Sequence, residues 1–450
     1  MTRGPAARVA VLAFVLVALA GQVAVGMRAA ETSDITGDEP FYLLTTQSLT
    51  SDGDLDLRDE YATGEVDRFW RGTVPLWKQM APMPDGRLLS PHDPLLSIVI
   101  APAYEGFGVR GVQRFLVLLW AAALAVAAVV ALRYSAPPWA AVLGAVVVGA
   151  GTPGIVYASQ IYPEGPAALC IALALLLVSQ KPASRGNGWR HPPAISSGAL
   201  LAVVVTALAW LGVKYVPVGA VLGLAWGWKH REDRRALGVT AVLLAVSGAA
   251  YVWWHLHTFD GLTPYATNVV YSGEGSASII ASHVGITGRS YRLHGLFLDA
   301  RFGLLRWLPA AAIALWGLRR RTALLGVAFA VGVVMGAFVS ITMMGWWFPG
   351  RMLVAGFPAL AVLVALGATR LPRTAAVLGA WSLAIAAALV WAARTGAVHL
   401  AVDPFDLGFP LAPAVLFPDF RHFGAREIVT SALWIAGLLA LRLRLRPREE

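Results

Sequence analysis

The sequence predicts an all-α polytopic membrane protein with about twelve transmembrane helices and a long first extracytoplasmic loop carrying interfacial helices. Three observations carry this. Of 450 residues, 57% are hydrophobic and only 14% are charged, too few to cover a soluble surface of that size. Apolar runs long enough to cross about 30 Å of hydrocarbon recur from end to end. Basic residues gather in alternate connections, the signature of a fixed orientation in a bilayer.

In order, the apolar runs are 9–26, 112–132, 138–157, 165–180, 195–212, 215–229, 236–257, 300–318, 322–342, 352–368, 374–393 and 428–441. The first resembles a signal peptide, with Arg8 ahead of an apolar stretch, but the many spans that follow favour a retained helix. The stretch 195–229 reads as a hairpin or one broken helix. With the N-terminus in the cytoplasm, the inner connections begin at Arg133, Lys181, Lys229, Arg319 and Arg370, and the tail is RLRLRPREE; all are basic. The inner side then carries about 19 Lys or Arg and about 4 acids, and the outer side about 17 and about 22. Orientation in the membrane thus accounts for the net charge of +10, and nucleic-acid binding has no basic soluble domain to support it. The chain reads as a single membrane domain, 1–450, with long extracytoplasmic loops at 27–111, 258–299 and 394–427 and both termini in the cytoplasm. The lone Cys170 permits no internal disulfide.

The chemistry is expected on the outer side, where the first loop is the longest and most acidic. Its stretch SDITGDEPFYLLTTQSL places Asp38 beside Glu39, with Asp38 as N-cap of a loop helix and Pro40 in its first turn. Further on, SPHDPLLSIVIAPAYEGFG sets His92 and Asp93 between prolines, ahead of an apolar stretch of about fourteen residues, too short to cross and read as interfacial or re-entrant. Glu164, Lys214, His283, Arg292, His294, Asp299, Arg301 and Arg351 fall near the same face. An ionisable group at membrane depth costs about 2.5–3.5 kcal/mol, so a shared outer cavity holding acids and bases is the simplest arrangement. The plainer readings are that Arg351 and Lys214 snorkel to headgroups, that Glu164 is a first-turn acid favoured by the helix dipole, and that His283 and His294 are loop residues. Trp346 and Trp347 read as interfacial belt residues. Motifs for nucleotide binding, a Gly-x-Ser-x-Gly elbow and cysteine-based metal sites are missing.

Asp38-Glu39 followed by Tyr42, directly after the first span, resembles the Asp-Glu-x-x-Tyr signature of the integral-membrane GT-C glycosyltransferases, which include protein mannosyltransferases and lipid A aminoarabinose transferases. Other pieces agree in order: HDPLLS where many members have Lys-Pro-Pro-Leu, YASQIYPEGP before the fourth helix, FLDARFGLLRWLP, and PGRMLVAGFPAL for an Arg-Tyr-Leu-x-x-x-x-Pro segment. His92-Asp93 in place of Lys-Pro and Met352 in place of Tyr depart from the pattern. The resemblance spans about residues 10–370 and implies a GT-C-like fold in the plasma membrane, with an extracytoplasmic active site.

It also implies an inverting transfer of a sugar from a polyprenyl-phosphate donor to a cell-envelope glycan, glycolipid or protein acceptor. Asp38 would be the catalytic base and Glu39 would orient the acceptor or share a divalent ion, which some members have and others lack. Arg351 and Lys214, then Arg301 and Arg292, would bind the donor phosphate; Tyr42, His92, Asp93, Glu164 and His294 would line the sugar or acceptor site. A transporter or flippase for a lipid-linked substrate is the alternative, as is a non-catalytic scaffold. Transport favours internal repeats and charges near mid-bilayer, whereas these charges cluster at one face and no repeat is visible.

Overall fold

The computed structural model describes residues 4–71, 75–76, 78–80, 82–180, 194–264, 286–340 and 342–445. Among them every regular element is helical, and strand pairing is limited to an isolated bridge between Asp56 and Leu89. Seven helices are long and apolar enough to cross a membrane: α1 (Pro5–Ala24), α4 (Leu95–Arg133), α7 (Ala194–Leu211), α9 (Arg234–Phe259), α10 (Arg320–Val339), α11 (Arg351–Ala368) and α12 (Pro372–Thr395). Between them lie two shorter apolar helices, α5 (Pro138–Ala150) and α6 (Glu164–Ser179), as well as α8 (Val216–Lys229). The C-terminal helix α13 (Ala425–Arg444) is flanked by Arg426 and Glu427 at one end and Arg442 and Arg444 at the other.

Each of the twelve apolar runs meets helical structure, with two changes. The run at 300–318 is three short turns, Leu304–Trp307, Pro309–Ile313 and Ala314–Gly317, and not one helix. Pro309 lacks the N–H a continuous helix needs, and the buried Arg306 holds the segment sideways by donating to the carbonyls of Ala300 and Ala412. The interfacial stretch and the second run are joined in the 39-residue α4, which kinks at Gly108. The stretch 195–229 is a hairpin. Gly198 of α7 lies against Trp226 of α8, and Gly219 of α8 against Val205 and Leu208 of α7, so the two helices run antiparallel.

The core is built around α11, with 89% of its most apolar stretch buried. It packs on α4, α5 and α10, and small residues allow the approach: a Cβ at Gly144 of α5 would lie 2.4 Å from the Ala361 carbonyl oxygen. The long connections meet one another and the neighbouring segment. Leu400 N donates to Arg28 O, Ala401 N to Ala29 O, and Ala300 N to Pro418 O. At the opposite end basic side chains cap exposed helix carbonyls: Arg133 reaches Leu176 O, Lys229 reaches Val178 O and Gln180 O, Arg370 reaches Trp316 O, and Arg442 reaches Leu315 O and Leu318 O.

Within the first loop, α2 (Glu39–Ser51) lies against α4 and buries every residue from Glu39 to Ser48. Its polar side chains are satisfied locally. Thr46 Oγ1 donates to Tyr42 O at 2.7 Å, and from α4 Ser97 Oγ donates to the same carbonyl at 2.9 Å while Tyr104 Oη donates to Gln47 Oε1 at 2.9 Å. A short helix, α3 (Arg58–Ala62), follows and packs on α2. The start of α2 is thereby fixed where the N-terminal ends of α6, α8 and α11 converge.

Candidate active site

Asp38 and Glu39 are neighbours with separate surroundings. Asp38 occupies the N-cap position of α2, but its side chain makes no capping bond, contrary to the sequence expectation. Its Oδ2 instead lies 2.8 Å from Arg351 Nη2, and its Oδ1 accepts a 3.0 Å bond from Gln79 Nε2. Glu39 closes the turn: its Oε2 accepts from Thr36 N at 2.9 Å and its Oε1 from Ile161 N at 2.8 Å. Gly37 has φ of +62°, and a Cβ there would meet Tyr162 Oη at 2.6 Å and the Trp346 carbonyl oxygen at 2.9 Å. Only glycine lets the loop press against both segments while turning into α2.

Arg351 opens α11 behind a second left-handed glycine, Gly350 at φ +83°. Its guanidinium sits 4.0 Å from the Tyr162 ring centroid and 5.2 Å from that of Trp347, so this tryptophan belongs to the site, whereas Trp346 is exposed. Arg351 Nε donates to Glu164 Oε1 at 3.1 Å, and Lys214 Nζ donates to the same oxygen at 2.9 Å. The four charges form a continuous chain, Asp38, Arg351, Glu164, Lys214. Snorkelling therefore does not describe Arg351 or Lys214: each is tied to a buried carboxylate. Among the described residues Glu164 Oε2 is buried without a hydrogen-bond partner.

His92 stacks on Tyr42 with ring centroids 4.6 Å apart. Its Nε2 lies 2.8 Å from Gln79 Oε1 and 3.9 Å from Asp38 Oδ1, so Gln79 bridges the imidazole and the carboxylate. Sequence reasoning missed Gln79, a neutral residue in a long loop with no pattern to mark it. Asp93 turns to a different partner set. His255 Nε2 approaches its Oδ1 at 2.9 Å and Tyr251 Oη donates to it at 3.2 Å, both from the last turns of α9 and likewise unforeseen. The remaining proposed residues stand apart from the charge chain. Arg301 covers the Phe405 ring at 4.8 Å, Arg292 Nη1 donates to Ser340 O at 3.0 Å, and His294 meets the Phe420 ring edge-on at 5.1 Å. His283 lies outside the described residues.

The electrostatics separate the two acids. Burial opposes ionisation of Asp38, but the Arg351 guanidinium, then His92, with hydrogen bonds from Arg351 and Gln79, outweigh it and hold its carboxyl well below the usual range. Burial dominates at Glu39 and pushes its carboxyl up to about 8, against the lowering effect of the two backbone donors. His92 is shifted downward, first by burial, against the raising influence of Asp38. Each of the four carboxylate oxygens of Asp38 and Glu39 has a partner within the site.

A cleft opens from Glu164, Lys214 and Arg351 between α6, α8, α10 and α11. Tyr215, Ser340 and Met352 flank the charges, and Ile171, Val218, Val331 and Met335 continue it as an apolar wall. Charge at one end and hydrocarbon along the other suit an amphiphile.

No protein-family model and no curated protein sequence matches the chain. Its three-dimensional structure does have a match, the crystal structure of ArnT from Cupriavidus metallidurans bound to undecaprenyl phosphate. The TM-score is 0.51 at 16% identity, over 97% of this chain and 72% of that one. The chain shares the fold of that structure. Glu164, Lys214 and Arg351 line the cleft, and Asp38 joins them through Arg351.

Proposed function

We propose that the protein is an inverting glycosyltransferase that moves a sugar from a polyprenyl-phosphate donor to an extracytoplasmic acceptor hydroxyl. The observation that carries this reading is the ionised Asp38 held beside the cationic end of an apolar cleft. The lipid tail would lie along the apolar wall, its phosphate against Lys214 and Arg351. Undecaprenyl phosphate in the ArnT crystal structure supports a donor of this class.

Asp38 would accept the proton of the acceptor hydroxyl as its oxygen attacks the anomeric carbon. The bond from that carbon to the phosphate oxygen breaks, and the charge developing on the leaving phosphate is met by Lys214 and Arg351. One base and a single displacement give inversion. Binding also tunes the base. A phosphate drawing the Arg351 guanidinium toward itself weakens the interaction that depresses Asp38, so the carboxylate gains basicity when the donor is in place. Glu164 would hold Arg351 and Lys214 side by side for the phosphate, and its open oxygen would accept a sugar hydroxyl. Glu39 would act through the turn that it closes.

The test is sugar transfer from a purified polyprenyl-phosphate donor by wild type and Asp38→Asn at matched expression. Asparagine keeps the shape of the side chain and cannot take a proton at neutral pH. Turnover should fall at least about 100-fold, with lipid binding retained. Near-wild-type turnover would remove Asp38 from the chemistry.

A further inference from the structure

The first loop holds a second group of carboxylates, remote from Asp38. Asp52 caps the C-terminal end of α2, Asp59 and Glu60 lie in α3, and one ligand oxygen from each lies within 4.8 Å of the others. Asp52 and Asp59 are exposed, and alone they would be an ordinary solvated acidic patch. Glu60 is of another kind. It is 1% exposed, and among the described residues neither of its carboxylate oxygens has a partner within hydrogen-bond geometry. A carboxylate taken out of water without a donor or a counter-charge costs several kcal/mol, so natural folds supply one or the other. Here the described residues supply no counter-charge, and the nearby Ser48 hydroxyl is already donated to Asp54. Among the described residues, no Lys, Arg or His lies within salt-bridge distance of any of the three acids; the nearest base in sequence, Arg58, is spent on Asp56 at 2.6 Å.

We propose that Asp52, Asp59 and Glu60 hold a divalent cation, Ca²⁺ by ligand chemistry, which clips α3 to the C-terminal end of α2. The donors are all carboxylate oxygens, with no sulfur or imidazole, which selects a hard cation over zinc or copper. Two sit on a short helix and one at a helix end, an adjustable set of the kind that Ca²⁺ tolerates at oxygen distances of about 2.3–2.6 Å, water completing the shell. The ion takes no part in group transfer. Asp38 stands at the other end of the 13-residue α2, roughly 20 Å away. The cation instead anchors the helix that presents Asp38, and the claim stands whether or not the protein is a transferase.

The test uses the full-length protein in detergent, stripped with EDTA, dialysed, and titrated with CaCl₂ alone. Two signals are followed: the thermal midpoint, and the luminescence of bound Tb³⁺, a Ca²⁺ substitute excited through nearby aromatic rings, as CaCl₂ displaces it. Wild type should gain several degrees at millimolar CaCl₂, since a ligand bound only to the folded state raises its midpoint. Glu60→Gln should abolish the gain. Asp52→Asn, at an exposed position where folding is not at risk, should shift the half-point of the titration at least about tenfold upward. No gain in wild type, or an equal gain in both variants, would overturn the proposal.

Discussion

Arg351 has two partners that its charge serves differently. Toward Asp38 it keeps a buried carboxylate ionised, and toward Glu164 it shares one oxygen with Lys214. Because Arg351 is the largest influence lowering the Asp38 pKa, removing it leaves burial in control and the pKa must rise. The sign for activity follows. In the free wild-type enzyme the base form persists as pH falls and is lost only below the ordinary carboxylate range, whereas in Arg351→Gln the acid limb of kcat/KM should move up by at least about one pH unit. Arg351→Lys keeps the charge and should leave the limb near its wild-type place, with part of the turnover lost because a point charge cannot reproduce the fork of two N–H donors. An acid limb unmoved in Arg351→Gln would show that Arg351 does not set the Asp38 pKa. These charges were legible in the sequence because ionisable residues at the ends of apolar runs are costly enough to need a reason. Their pairing was not, since nothing in spacing links Asp38 to a residue more than three hundred positions later. Gln79, Tyr251 and His255 carried no signal at all, one being neutral in a loop and the others hidden among apolar neighbours.

Elements place these residues through their first turns. α2, α6 and α11 begin at Glu39, Glu164 and Arg351, so three charges of the site stand at helix starts. Gly37 shows how tight the junction is: its left-handed backbone is needed, and two atoms occupy the space where a Cβ would go. Gly37→Ala should therefore cost more than strain. Gly408, at φ +68° with nothing within 4 Å of a Cβ, supplies the control. Gly408→Ala should lower stability by about 1 kcal/mol, the price of a left-handed alanine. Gly37→Ala should exceed that loss in the thermal midpoint, and it should reduce turnover at least about tenfold by displacing Asp38 from Arg351. Equal midpoints for the two variants would mean that Tyr162 and Trp346 simply move aside. Element boundaries were the better-read part of the fold, since long apolar runs announce helices. The run at 300–318 failed because hydropathy does not see Pro309 or the sideways pull of the buried Arg306.

At the scale of the whole molecule the two ends of the bundle differ in what their charges do. At one end Asp38, Arg351, Glu164 and Lys214 pair with each other around a cleft; at the other Arg133, Lys229, Arg370 and Arg442 cap helix carbonyls. The second arrangement explains how basic residues can be retained beside apolar helices without acidic partners: the negative ends of helix dipoles and their unpaired carbonyls receive them. It coincides with the connections that the positive-inside rule assigns to the cytoplasm, an orientation open to a direct test. If that orientation holds, a cysteine at Ser51, exposed at the end of α2, should react with an impermeant thiol reagent added to intact cells. One at Glu232, exposed between α8 and α9, should react only after the membrane is opened. Both belong in a Cys170→Ser background, because Cys170 is the native thiol that would otherwise contribute. Labelling at Glu232 with protection at Ser51 would invert the molecule and put the cleft on the side where nucleotide sugars are made. The case for a lipid-delivered donor would then lose its main physical reason.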